Sequence, residues 1–128
     1  MTLGTEVNVI EGNVMIKHMV IFNLKYNKNS VDADEFLIKS KKILSFIEGV
    51  ENFEVVKQFN PKNDYDFGFY MEFKDKKAYQ SYNENPEHIN YVKQVWLKEV
   101  RRFLEIDFET LSVKLPRLKS RASPAFYK

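Results

Sequence analysis

The sequence predicts an α+β domain of ferredoxin-like β-α-β-β-α-β order, with an antiparallel four-stranded sheet that is apolar on both faces. Three observations carry this. Residues 15–24, MIKHMVIFNL, alternate so that both sides of a strand are largely apolar. Residues 50–59 and 65–73 read as two strands around the turn Asn60-Pro61-Lys62-Asn63-Asp64. A stretch with helical spacing follows the first strand, and another follows the hairpin.

In order, Ile16, His18, Val20, Phe22 and Leu24 share one face of the first strand, and Met15, Lys17, Met19, Ile21 and Asn23 share the other. A helix is expected over 31–48. Its start offers a capping-box pair, Asp32 and Glu35, with Ser30 as a rival cap, and Gly49 is its stop. Phe36, Ser40, Ile43, Leu44 and Ile47 form its stripe. In the third strand Tyr65, Phe67, Phe69, Met71 and Phe73 line one face, and Gly68 on the other admits close approach of a large neighbour. A second helical region is expected over 75–104, broken near Asn83–Pro86. There Asn85 can cap and Pro86 suits the first helical position. Its apolar face is Ile89, Val92, Val95, Trp96 and Phe103. The last strand is expected over 104–111, with Leu104, Ile106, Phe108 and Thr110 on one side. Helices can cover only one face of such a sheet. Met15, Met19 and Ile21 therefore call for cover from a second copy of the chain.

Composition narrows the function. The 128 residues suit one domain, and eleven Phe with seven Tyr imply a ring-rich core or pocket. Without Cys there is no disulfide, thiolate metal site or cysteine nucleophile. The net charge of +2 hides an asymmetry. Lys114, Arg117, Lys119, Arg121 and Lys128 follow residue 112 with no acid among them, leaving 15 basic against 18 acidic residues before it, a net −3. A nucleic-acid partner is not expected of a mildly acidic fold. Residues 1–14 carry Glu6 and Glu11 and no basic residue, unlike a secretory leader, and no apolar run nears the ~20 residues of a membrane span. A cytoplasmic protein with no membrane partner is the expectation. The domain is placed at 15–112. An N-terminal extension, 1–14, has Val7, Val9 and Ile10 available for an edge strand. A basic tail, 113–128, ends in Phe126 and Tyr127 and is expected to dock, across the partner subunit if a dimer forms.

Ile16-Lys17-His18-Met19-Val20-Ile21-Phe22 resembles the opening strand of stress-responsive A/B barrel domains. The step Gly49-Val50-Glu51 and the aromatic strand Phe67-Gly68-Phe69-Tyr70-Met71-Glu72-Phe73 are similar too. The most specific piece is Tyr79-Gln80-Ser81-Tyr82 through Asn85-Pro86-Glu87-His88. The likeness covers about residues 15–111. It implies a dimeric α+β barrel. It also implies the site pattern of the olivetolic acid cyclase type, in which a linear polyketide is closed by an aldol reaction without metal or cofactor. On that pattern the Pro-x-His motif is Pro86-Glu87-His88, Tyr82 stands six residues before the histidine, and His18 matches a first-strand histidine.

The chemistry suits the residue types. His88 would be the base, Tyr82 the donor to a substrate carbonyl and His18 an orienting neighbour. Phe67, Phe69, Tyr91 and Trp96 would wall an apolar pocket. Packing is the alternative for each: His18 as a core histidine with a buried partner, His88 contacting the loop before its helix, Tyr82 as a packed ring. His18 and His88 with Glu72 make a known metal-ligand set, yet nothing in their spacing favours one, and neither metal nor cofactor is expected. The functional expectation is a homodimer with one small apolar or carbonyl-containing ligand per subunit and possible cyclase- or isomerase-type chemistry. The alternative is a non-catalytic structural or stress-protective dimer.

Overall fold

The computed structural model describes residues 8–10 and 14–114. The chain divides into two compact units, Val14–Thr110 and a second formed by Met1–Asn13 with Leu111–Lys128. In the second unit, β1 (Asn8–Ile10) pairs antiparallel with β6 (Ser112–Lys114) as a two-stranded sheet of its own. The expected extra strand thus forms without joining the main sheet. Val7 and the tail beyond Lys114 lie outside the described residues.

The first unit is the ferredoxin-like domain. Strands β2 (Ile16–Leu24), β3 (Glu51–Lys57), β4 (Phe67–Phe73) and β5 (Val100–Glu109) form one sheet in the order β3-β4-β2-β5, every neighbouring pair antiparallel. Helices α1 (Val31–Leu44), α2 (Lys76–Glu84) and α3 (Pro86–Tyr91) supply the connections, and a π-helical turn (Val92–Trp96) and α4 (Leu97–Glu99) lead into β5. Ser30, not Asp32, caps α1, accepting from the Ala33 amide at 3.1 Å. Asp75 and Asn85 cap α2 and α3 in the same way, and Pro86 opens α3 where its missing N–H costs nothing.

Three expected boundaries move. Helix α1 stops at Leu44 rather than 48, because the Ser45 hydroxyl donates to the Lys41 carbonyl and the chain tightens into turns closed by Ile47 N–H to Leu44 O and Val50 N–H to Ile47 O. Gly49 then takes φ +96°, which L side chains adopt at a cost. The hairpin strands are shorter than expected, at Glu51–Lys57 and Phe67–Phe73. The third change is the largest. The helix ends at Glu99, and Val100–Phe103 belong to β5. Pairing decides this: Leu24 faces Val100, the Lys25 amide donates to the Glu99 carbonyl, and the Glu99 carboxylate accepts from Tyr26 and Lys39. Tertiary partners override the helical propensity of Leu97-Lys98-Glu99-Val100-Arg101-Arg102.

The core lies between the sheet and the helices. Phe22, Phe36, Phe69 and Phe73 are fully buried there, with Trp96 among them. Ile89, expected to face this core, is exposed, and Tyr91 takes that role. The opposite sheet face carries Met19, Ile21, Tyr70, Leu104, Ile106 and Phe108 at matched register positions. Leu104, Ile106 and Phe108 are 39–56% exposed.

Candidate functional site

Alternation along β2 sends His18 and Val20 to the helix side, and β4 sends Phe69 and Met71 to the same side. From α2 comes Tyr82, and from α3 come His88 and Tyr91. The π-helical turn brings Val92 and Trp96 onto one wall. Such turns widen a helix locally and re-aim its side chains. These residues line a half-open cavity of about 150 Å³, with Leu97, Phe103 and Glu105 at its rim, where all three are exposed.

Of the residues singled out in the sequence, His18, Tyr82, His88, Phe69, Tyr91 and Trp96 all line this cavity. Phe67 does not. It packs 5.9 Å from Phe22, ring centre to ring centre, and lines a separate shallow groove with Leu37 and Val55. Glu72 is on the other sheet face, beside Lys17 in register, so it cannot join the two histidines around a metal. Among the described residues no group of three His, Asp or Glu is placed to hold an ion.

Two polar ends differ in kind. At one, His18 is buried and its Nδ1 lies 2.5 Å from Asp107 Oδ1. A carboxylate can only accept, so Nδ1 carries the proton. The Tyr79 hydroxyl donates to the other Asp107 oxygen at 2.9 Å and stands 3.2 Å from the ring nitrogen. Burial first, and the bond to Asp107 second, push the Tyr79 phenol well up. Nδ1 is committed to Asp107, so Nε2 is the nitrogen left for a ligand.

At the other end the Tyr82 and His88 rings lie 4.3 Å apart, centre to centre. His88 Nδ1 is buried with no hydrogen-bond partner among the described residues. Burial lowers the His88 pKa from 6.5, the backbone of Asn83 opposes that shift, and charge on His18 adds to it. His88 is therefore neutral near pH 7 and able to accept a proton. Burial pushes the Tyr82 phenol far up, reinforced by Tyr91, Tyr79 and Glu105, so it remains a donor. Tyr91 is held by a buried 2.7 Å bond to Ser40, which explains the polar residue in the apolar stripe of α1.

Asp107, Tyr79 and Glu105 were not among the residues expected at the site. The signal for the two acids was the alternation of Leu104-Glu105-Ile106-Asp107-Phe108: once Ile106 is assigned to one face, Glu105 and Asp107 fall on the other. Phe103, expected on a helix, reaches the rim from β5, with its ring 5.5 Å from Trp96.

Fold and site together define a ferredoxin-like α+β domain with an aromatic cavity between sheet and helices, edged by two histidines and a tyrosine. Residues 16–110 match the family described as Stress responsive A/B Barrel Domain, and the chain belongs to that family. A Dabb family protein from Mesorhizobium loti with a ferredoxin-like fold is 48% identical, with a TM-score of 0.75 over 77% of this chain and 99% of that one. A dimeric protein of unknown function from Bacteroides fragilis is 24% identical, with a TM-score of 0.55 over 75% and 96%. The hydroxynitrile lyase from Passiflora edulis shares the fold at 8% identity, with a TM-score of 0.65 over 75% and 93%. No curated protein sequence matches this chain.

Proposed function

We propose that this chain is a homodimer whose subunits each bind a small carbonyl-containing ligand in the cavity and act on it by cofactor-free acid–base chemistry. His88 removes a proton next to the carbonyl, the Tyr82 hydroxyl donates to the oxygen that gains charge, and His18, held by Asp107, orients the ligand through Nε2. The reaction class is cyclisation or isomerisation. The observation that carries the reading is the convergence of His88, Tyr82 and His18 on one cavity, with the His88 and Tyr82 rings 4.3 Å apart, centre to centre. The dimer rests on the open sheet face and on the relative from Bacteroides fragilis, which is described as dimeric.

A specific observation favours a second reading, a structural dimer without turnover: His18 Nδ1 is tied internally to Asp107, which also accepts from Tyr79. One experiment separates the two. Exchange of the methyl protons of acetophenone into deuterated water, followed by NMR, should be faster with the protein than with buffer. It should fall by about 10²-fold or more in His88→Ala, with little change in melting temperature. Equal exchange in both proteins, or a large loss of stability in the variant, supports the structural reading.

A further inference from the structure

The size and polarity of the cavity bear on what it holds. Its volume of about 150 Å³ is that of a single ring; a cavity of roughly this size admits benzene. Flat side chains line it from several elements, among them Phe69 on β4, Tyr82 on α2 and Trp96 on the π-helical turn. Facing rings give a bound ring offset and edge contacts on several sides.

Charge is distributed unevenly around it. Among the described residues no Lys or Arg lines the cavity, and the one carboxylate on it is Glu105 at the rim. The Nδ1 of His18 is already committed to Asp107 at 2.5 Å. An anionic ligand would therefore meet Glu105 with no Lys or Arg among the described lining residues to offset it. Glu105 can only accept a hydrogen bond, so the group that meets it must donate one.

Resting on the reading of this cavity as a ligand site, we infer that it takes an uncharged, single-ring molecule carrying a hydroxyl donor, a phenol or the enol of a cyclic ketone, and turns away carboxylates. The ring lies among Phe69, Tyr82 and Trp96. The hydroxyl reaches the polar rim at Glu105, and the His88 ring lines the same cavity. Glu105 is thus a specificity residue rather than part of the proton-transfer set.

The test uses three probes, phenol, benzoate and 2-naphthol, titrated at pH 7.5 into the full chain. The readouts are the NMR signals of the His88 ring and of the indole of Trp96, the protein's single tryptophan. Phenol should shift both signals and saturate. Benzoate should bind about tenfold more weakly or worse, and 2-naphthol should not enter. Glu105→Gln should bring benzoate to within a few-fold of phenol; the side chain is exposed, so the fold tolerates the change, which an unchanged melting temperature verifies. Benzoate or 2-naphthol binding as well as phenol in the wild type overturns the inference and leaves the ligand site standing. Benzoate discrimination that survives in Glu105→Gln overturns the role of Glu105. Failure of all three probes to move either signal overturns the ligand site and the inference with it.

Discussion

The two faces of the sheet use the same strands for different ends. On the covered face Val20, Phe22, Phe69 and Phe73 are sealed under the helices, and the single chain satisfies itself there except around the cavity. On the open face Met19 and Ile21 are only half-buried, and Leu104, Ile106 and Phe108 stand exposed along an edge strand. The difference teaches that burial in one chain measures two kinds of stability. The covered face holds the fold, and the open face is left for association, since a contiguous apolar patch of this kind marks an interaction surface.

The largest test of the contrast is on the covered side. Phe69 is fully buried and its ring packs against Phe22, Phe36 and Phe53. Phe69→Ala should cost about 3–5 kcal/mol in chemical denaturation, because the cavity left behind cannot fully collapse. On the open side, Ile106→Asp should leave the far-ultraviolet circular dichroism of the chain intact and halve the mass seen by light scattering. An unchanged mass would move the interface elsewhere. A smaller effect sharpens how tightly the open face is shaped. A Cβ on Gly68 would stand 3.0 Å from Val56 Cγ2 and 3.3 Å from both Met19 Sδ and the Val20 carbonyl oxygen. Gly68→Ala should therefore destabilise by ~1–2 kcal/mol, read from the denaturation midpoint.

Much of this was legible in the sequence. The period of two in Ile16–Leu24 and Phe67–Phe73 gave both faces of the central strands, and Asn85-Pro86 marked the start of α3. Gly68 was expected to admit a close neighbour, and the Met19 sulfur lies against it. The start of β5 was not legible, because its residues fit a helix equally well and only pairing with Leu24 decides between the two. His18, Tyr82 and His88 were marked by resemblance, and the structure brings all three to one cavity. Phe67 was misplaced, because all inward residues of a strand look alike until the helices above them are positioned. Asp107 was missed for a different reason: its partner His18 is 89 residues away, and the register that joins them appears only in the sheet.

The central claim is that His88 is a neutral base facing a ligand space, and its own titration tests that most directly. A histidine with a depressed pKa is protonated more readily in the unfolded chain than in the folded one. Its contribution to stability is therefore full above about pH 6.5 and is lost as the pH falls toward its folded pKa. In a pH titration of the ring followed by NMR, the account predicts that His88 changes charge below pH 6.5 and that saturating phenol shifts its signals at neutral pH. A His88 that titrates at or above pH 6.5 and ignores phenol would contradict the account.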